Sequence, residues 1–246
     1  MELMSSSPLA ELNPRHLAVP ALVALLSYWG IWNAGFCFDD PMAIVSNPLV
    51  NGQAGWLDAF TSNFWGDRPG FEHLQSWRPL TVLDLRIDHV AGAGDPWPFH
   101  VGNLILLAML ATVAMLLASA AGLGGITSLV VGIVVAAHPV FSEAVASNVG
   151  KGDLLGALIG LLGLLLAGRW FVPGLAVCVC ALLAKESAVV FALALGIMSL
   201  SDRRWGRAVA VGVAVAAWYG VRAWVLDVGG VTISPLDNPL VELEGG

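Results

Sequence analysis

Two adjacent carboxyl groups, Asp39 and Asp40, directly follow the first long apolar run of the chain. A carboxylate at such a position can accept the proton of an attacking hydroxyl group or bind a cation through oxygen. Because consecutive residues of a helix point about 100° apart, only one of the two is expected to reach a given point. The alternative interpretation is that both carboxylates are solvated at an interfacial helix end, before Pro41.

Further ionisable side chains stand at the ends of later apolar runs. A charged group at the centre of a membrane helix costs about 2.5–3.5 kcal/mol on insertion scales, so such groups are expected to have a role. The candidates are His138, Glu143, Lys151, Asp153, Lys185, Glu186 and Arg222. Two alternatives stay open: Lys185 and Glu186 could neutralise each other, and His138 before Pro139 could mark a helix kink. A divalent cation could bind to such carboxylates, but no spacing requires it and no metal ligand is assigned.

The composition indicates the class of protein that carries these groups. Of 246 residues, 57% are hydrophobic and 12% are charged. A soluble domain has about 45–50% apolar residues with glycine included and about 25% charged residues. The composition therefore excludes a disordered chain, a nucleic-acid-binding protein and an ordinary soluble enzyme, and it predicts an all-α, polytopic membrane helical bundle.

Apolar runs predict six or seven membrane helices, since a spanning helix needs about 20 mostly apolar residues. The runs are 17–36, 101–121, 126–144, 154–167, 171–184, 188–200 and 208–225. The two runs beside Lys185 and Glu186 are short, which fits either a span broken at a polar site or two helices joined by a tight turn. Gly152, Gly156 and Gly160 recur every four residues and predict a helix face that a neighbour approaches closely.

The segment 37–100 has no spanning run and is rich in Trp, Pro, Asp and Asn. It is too long for an ordinary connection, so we expect a folded, functional loop. Apolar residues recur in it at helical spacing, with charged residues between them. The apolar set is Leu80, Leu83, Ile87 and Val90, and the charged set is Asp84, Arg86 and Asp88. This pattern predicts an amphipathic helix that lies on the membrane surface.

Basic residues predict the orientation. Arg203, Arg204 and Arg207 cluster in one short loop, which by the positive-inside rule is cytoplasmic. Counting spans back from that loop puts Arg169 and Arg15 on the same side, and the candidate groups on the other. The predicted order is a cytoplasmic tail (1–16), a first membrane helix (17–36), an outward loop (37–100), a bundle of five or six helices (101–225) and an outward loop (226–246). The net charge of −7 then belongs wholly to the outward face.

Several motifs occur in an order that resembles a known family. They are FCFDDPMAIVSNPLV at 36–50, FWG at 64–66, SWRPLTVLDLRIDH at 76–89, PWPFHVGNLILLAML at 96–110, AAHPVFSEAVASNVGKGDLLGAL at 136–158, LLAKES at 182–187 and DNPLV at 237–241. From about residue 30 onward the chain resembles the transmembrane and tetratricopeptide repeat (TMTC) protein O-mannosyltransferases and, more distantly, the GT-C glycosyltransferases. Phe141 and Ser142 stand where the family often has His-Thr, and Lys151 stands where it has Arg.

The resemblance implies a GT-C-like bundle whose first outward loop carries a catalytic acid, here Asp40 or Asp39. It implies transfer of mannose from a polyprenyl- or dolichyl-phosphate donor to a Ser or Thr hydroxyl of a protein, in one inverting displacement. The leaving phosphate needs cations. The residues that could supply them are Lys185, Arg222, Lys151 and Arg78, and those expected to shape the site are Glu143, His138, Glu186 and Asp153.

The chain has no repeat of about 34 residues, whereas family members continue with more helices and tetratricopeptide repeats. We therefore expect it to be the N-terminal membrane portion of such a protein. A non-catalytic scaffold that binds lipid or a partner is the alternative, and a transporter is less favoured because the polar groups concentrate at one face. Nine Arg against two Lys, with abundant Ala, Gly and Val, favour a bacterial plasma membrane over the endoplasmic reticulum.

Overall fold

The computed structural model describes residues 14–67 and 75–226. Most of the expected cytoplasmic tail, nearly all of the expected last outward loop and the motif at 237–241 lie outside this part of the chain. The described residues are helical and contain no strand. The helices are α1 (Pro14–Ser27), α2 (Pro79–Gly92), α3 (Trp97–Ala120), α4 (Gly125–Ala137), α5 (Phe141–Ala146), α6 (Lys151–Ala167), α7 (Phe171–Ala181), α8 (Val189–Ser201) and α9 (Trp205–Val225).

Three of these helices are long and apolar enough to cross a membrane. They are α3, α9 and α6 together with the helical turn that precedes it, Asn148–Ala167. The helices α1, α4, α7 and α8 are apolar but shorter, at 10–17 residues each. Three spanning helices agree with the multi-pass membrane class that the composition predicted.

In two of the apolar runs the helix ends before the run does. In the first run α1 ends at Ser27, and a short helical turn, Trp29–Asn33, follows it. Glycines at 30 and 35 lower the helix propensity of this stretch. In the third run α4 ends at Ala137, because His138 has an extended backbone and Pro139 disfavours helical geometry before it. The pair His138-Pro139 thus ends the helix instead of kinking it.

The core of the bundle lies around α3, which packs against α1, α4 and α6. Leu107 and Ala111 of α3, Ala136 of α4 and Leu154 of α6 belong to this cluster and are fully buried. The chain then turns at Gly168 and α7 returns along α6. A Cβ on Gly163 would lie 2.5 Å from the Sγ atom of Cys178, so these two helices are in close contact.

The glycine strip on α6 faces neighbouring elements closely, as the spacing predicted. A Cβ on Gly152 would lie 3.2 Å from the Thr81 hydroxyl, and one on Gly156 would lie 3.5 Å from the Ala188 Cβ. A Cβ on Gly160 would overlap the ring of Phe191. The strip therefore lets α2, the turn after α7 and the start of α8 approach α6.

The helix α2 begins at Pro79, a residue that is favourable at the first helical position because it needs no amide donor. The start of α2 is hydrogen-bonded to the turn that follows α7. The Leu80 amide donates to the Leu183 carbonyl at 3.0 Å, and the Thr81 hydroxyl donates to the Ala184 carbonyl at 2.6 Å. Lys185 and Glu186 thus lie in a tight turn between two separate helices, which resolves the alternative left open by the short apolar runs.

The charged residues of α2 do not all face away from the protein. Arg86 and Asp88 are buried, whereas Ile87 and Val90 from the expected apolar face are exposed. Asp88 is held inward by Lys151 of α6, as described below, and Arg86 donates to the Leu49 carbonyl at 3.3 Å. The exposed apolar side chains of α2 are left on the outside of the protein, where the surface-helix prediction placed them against lipid.

Candidate active site

A cavity of about 510 Å³ lies between the first loop, α5, the start of α6 and the turn before α8. Three carboxylates and one ammonium group stand among its lining residues. The lining residues are Phe38, Asp39, Val140, Phe141, Glu143, Ala144, Ser147, Val149, Gly150, Asp153 and Lys185. Four candidates from widely separated parts of the sequence, Asp39, Glu143, Asp153 and Lys185, are therefore brought together.

Asp39 is exposed and lines the cavity. The backbone places it there: Phe38 has a positive φ of 51°, and the chain then enters a helical turn at Pro41–Val45. The carbonyl of Asp39 accepts hydrogen bonds from the amides of Met42 and Ala43 at 3.0 and 2.9 Å. The main chain of Asp39 is thus fixed while its carboxylate stays accessible to a molecule in the cavity.

Asp40 is fully buried and has a different environment. Its Oδ2 accepts hydrogen bonds from the Cys37 amide at 3.1 Å and from the Asn148 side-chain amide at 3.0 Å. Its Oδ1 accepts a hydrogen bond from the Val149 amide at 3.1 Å. The bonds from Asn148 and Val149 join the first loop to the segment before α6, and all three bonds satisfy the carboxylate within the protein.

Lys185 forms an ion pair with Asp153, with 2.5 Å between Nζ and Oδ2. Both side chains line the cavity. The alternative in which Lys185 and Glu186 neutralise each other is therefore wrong. Glu186 points to the other side of the turn, where its Oε2 lies 2.9 Å from Nε of Arg78 and its Oε1 accepts the Trp77 amide at 3.3 Å.

Lys151 lies outside the cavity and is fully buried. Its ammonium group donates a hydrogen bond to Asp88, and it lies 3.2 Å from Asp84 Oδ2 in an ion pair without hydrogen-bond alignment. A Cβ on Gly102 would lie 2.6 Å from the Nζ atom, so the glycine of α3 leaves the space for this cluster. Lys151 is thus paired with the two carboxylates of α2 and is not available to a phosphate in the cavity.

The pKa of Asp88 is raised to about 6, mainly because burial disfavours the charged carboxylate; Lys151 acts in the opposite direction, and the nearby charge of Asp84 adds a smaller upward contribution. Two carboxylates face one buried ammonium group, so one proton on a carboxyl group makes the cluster neutral.

Arg222, Arg78 and His138 do not line the cavity. Arg222 donates to the Gln75 carbonyl at 2.8 Å, and the Arg78 guanidinium lies 5.3 Å over the centre of the Phe64 ring in addition to its pair with Glu186. His138 is exposed at the end of α4, where its Nδ1 accepts the Val140 amide at 3.1 Å. These residues fix the first loop and the helix ends.

Sequence reasoning missed the segment 148–153 as a unit. Asn148 and Val149 bind Asp40, Lys151 binds Asp84 and Asp88, and Asp153 binds Lys185. The available signals were a polar stretch within an apolar region and the four-residue separation of Asp84 and Asp88, which puts both on one face of a helix. Within the described residues, no three His, Cys, Asp or Glu side chains lie close enough together to hold a metal ion.

Comparison with known proteins shows which proteins the chain is similar to. No protein-family model matches it, and neither does a solved structure. Protein O-mannosyl-transferase Tmtc2 of Drosophila melanogaster is 36% identical over 143 residues, which are 57% of this chain and 15% of that protein. Human protein O-mannosyl-transferase TMTC2 is 32% identical over 149 residues, 60% of this chain and 18% of that protein.

A longer match is found with Drosophila protein O-mannosyl-transferase Tmtc1, at 31% identity over 202 residues. This match covers 78% of this chain and 23% of that protein. The chain thus spans less than a quarter of the length of the curated relatives it matches. Over the matched part of its length, the chain belongs to the TMTC family of protein O-mannosyl-transferases.

Proposed function

We propose that the chain forms the active site of a membrane glycosyltransferase. The enzyme transfers mannose or a similar sugar from a polyprenyl- or dolichyl-phosphate donor to a Ser or Thr hydroxyl of a protein. The observation that supports this most directly is the cavity, in which the accessible carboxylate of Asp39 and the ammonium group of Lys185 stand together. The names of the relatives give the class of transfer.

The two adjacent aspartates have different roles in this proposal. Asp39 is the general base, because its carboxylate lines the cavity and can approach an acceptor hydroxyl. Asp40 is a positioning residue, because its carboxylate is buried and holds the loop against Asn148 and Val149. The motif leaves Asp40 and Asp39 as alternatives, and the buried hydrogen bonds of Asp40 are the reason for proposing Asp39 as the base.

The transfer is a single displacement at the anomeric carbon. The acceptor oxygen forms its bond to this carbon as the bond from the carbon to the phosphate oxygen breaks. The acceptor proton passes to Asp39, and the electron pair of the broken bond goes to the phosphate oxygen. Lys185 stabilises the growing negative charge of the leaving phosphate, which is the charge that a positioned cation stabilises most strongly in the transition state.

The finer membrane arrangement is part of the proposal. The helices assemble as a GT-C-like bundle, with the cavity at the outward face where lipid-linked donor and protein acceptor meet. Placement in a bacterial plasma membrane rests on the Arg-rich, Lys-poor composition. The relatives named above come from animals.

Reconstitution in lipid vesicles tests the proposed transfer. The full chain receives labelled polyprenyl-phosphate-mannose and a Ser/Thr peptide, and labelled peptide is measured. We expect Asp39→Asn to lower the rate by about 10²–10⁴-fold, the usual contribution of a general base. Asp95→Asn, a matched change at an exposed aspartate outside the cavity lining, keeps the rate.

Equal rates for the wild type and Asp39→Asn would exclude Asp39 as the base. A folded wild type that gives no labelled peptide would instead favour the non-catalytic scaffold. Circular dichroism and size-exclusion chromatography of each variant separate loss of chemistry from loss of fold.

A further inference from the structure

We propose that Asp153 holds Lys185 as an internal counter-ion, which a lipid phosphate displaces when it binds in the cavity. The inference rests on the proposed function, because it concerns the part of the same cavity that receives the phosphate. It assigns to Asp153 a role beyond shaping the site: this carboxylate competes with the ligand and sets its affinity.

The geometry shows a cation that is accessible but already paired. The Lys185 Nζ lies 2.5 Å from Asp153 Oδ2, and the two side chains keep 25% and 47% of their surface exposed. Among the described residues, Lys185 is the basic side chain that lines the cavity. A phosphate that enters the cavity therefore meets Lys185 with Asp153 beside it.

The other cations proposed for the phosphate have partners elsewhere. Lys151 is buried against Asp84 and Asp88, and Arg78 is paired with Glu186. Since these groups are engaged outside the cavity, the competition for a phosphate takes place at Lys185.

An exchange at this pair is physically easy. An exposed ion pair changes an equilibrium by at most about fivefold, so a multiply charged phosphate can displace one carboxylate. Asp153 lies in the first turn of α6, where the helix dipole stabilises a carboxylate that has lost its cation. The released Asp153 therefore stays charged and can take Lys185 back.

The displacement of Asp153 is more favourable for the leaving lipid phosphate than for the sugar donor. The sugar donor is a phosphodiester with one negative charge, whereas the free lipid phosphate is a monoester with a charge of about −1.5 to −2 near neutral pH. The attraction of Lys185 for the phosphate grows as the sugar–oxygen bond breaks. After the transfer, the return of Asp153 to Lys185 helps to release the lipid phosphate.

Binding of polyprenyl phosphate to the full chain in lipid nanodiscs tests this role. We expect Asp153→Asn to lower the Kd by up to about fivefold, because Lys185 is then unpaired. Glu143→Gln is the matched control, since it removes one negative charge from the same cavity but leaves the Lys185 partner in place. It lowers the Kd by less than Asp153→Asn does, because the charge that it removes is not paired with Lys185. In Asp153→Asn combined with Lys185→Met the gain disappears.

Three results would overturn the inference: an unchanged or weaker affinity in Asp153→Asn, an equal gain in Glu143→Gln, or a gain that survives Lys185→Met. A second arm uses inorganic phosphate as the probe. If Asp153→Asn tightens its binding but not that of polyprenyl phosphate, the site is one for free phosphate and a lipid ligand is excluded.

The transfer assay separates the two proposals. If polyprenyl phosphate binds as expected in all variants while no sugar is transferred, the counter-ion role stands and the proposed transfer fails. If transfer depends on Asp39 and the affinity does not respond to Asp153→Asn, the proposed function stands and the counter-ion role fails.

Discussion

Adjacent residues of the same type have opposite environments at Asp39 and Asp40. The sequence predicts that only one of them reaches a given point, because neighbouring side chains diverge. It does not predict which one, since the partners of Asp40 lie 108 and 109 positions away, at Asn148 and Val149. The distinction between base and positioning residue is therefore a property of tertiary structure.

A stability measurement distinguishes the two aspartates. Asp40→Asn replaces one acceptor oxygen by an amide group that faces an N–H donor, which leaves buried groups unsatisfied. We expect a loss of about 1–3 kcal/mol in the free energy of unfolding, seen as a lower melting temperature in detergent. Asp39→Asn is the matched control and changes this free energy by less than about 0.5 kcal/mol, because its carboxylate is exposed. Equal melting temperatures for the two variants would contradict the buried role of Asp40.

The buried cluster around Lys151 predicts a pH dependence of stability. The pKa of Asp88 is about 6 in the folded protein against 3.8 in the reference state, so the folded protein binds more protons between these values. The Asp88 contribution to stability is then greatest below about pH 4 and falls as the pH rises through about 6. Melting temperatures of the wild type measured from pH 4 to pH 7 check this direction.

Asp88→Asn provides the comparison for that series. An amide does not titrate, so the fall in melting temperature between pH 4 and pH 6 becomes smaller than in the wild type. Asp95→Asn, at an exposed position, keeps the slope of the wild type. A slope that is the same in all three proteins would remove Asp88 as its source.

Among the elements, α2 was predicted as a helix from local spacing, and a helix is found at Pro79–Gly92. The orientation of its charged residues was not predictable, because it depends on Lys151, which lies 63 positions after Asp88. The buried ammonium group of α6 requires anionic partners, and α2 supplies two of them. A surface helix and a buried ion cluster are thus combined in one element.

The glycine strip on α6 gives a prediction at the level of helix packing. A methyl group at Gly160 overlaps the Phe191 ring, whereas one at Gly156 makes ordinary contacts of 3.5–3.7 Å. We expect Gly160→Ala to destabilise the bundle by about 1–3 kcal/mol through overpacking, and Gly156→Ala to have a much smaller effect. Melting temperatures in detergent compare the two variants.

A second substitution confirms the cause. Gly160→Ala combined with Phe191→Leu relieves the overlap, so its melting temperature is higher than that of Gly160→Ala alone. If Gly156→Ala and Gly160→Ala destabilise equally, the close approach of Phe191 to α6 is not what limits the packing.

At the scale of the whole molecule, the charged groups of the cavity and those of the arginine-rich turns lie at opposite ends of the bundle. The cavity, the turn with Lys185 and the contact of Arg222 with Gln75 lie at one end. The starts of α7 and α9 lie together at the other end, where the Arg207 guanidinium is 4.8 Å from the centre of the Phe171 ring. The arginine-rich turns thus stand opposite the cavity, so the positive-inside rule predicts that the cavity faces outward.

Cysteine labelling tests this orientation in membranes. In a variant whose three native cysteines are replaced, single cysteines at the exposed positions Ser142, Ser187 and Ser201 react with an impermeant maleimide. We expect Ser142→Cys and Ser187→Cys to be labelled in intact cells. Ser201→Cys is expected to be labelled only after the membrane has been permeabilised. Labelling of all three from the same side would contradict the proposed topology.

The amino-acid sequence by itself determined the membrane class, the helical architecture, the glycine strip and the family, because these depend on composition, local spacing and motif order. The pairing of side chains was decided by the tertiary structure. Asp153 meets Lys185 across 32 positions and Arg78 meets Glu186 across 108. Local patterns cannot rank such partners, because each carboxylate has several cations within reach of an unfolded chain. Helix packing selects one of them, and this selection leaves Asp39 and the Lys185–Asp153 pair in the cavity while it buries Asp40 and Lys151.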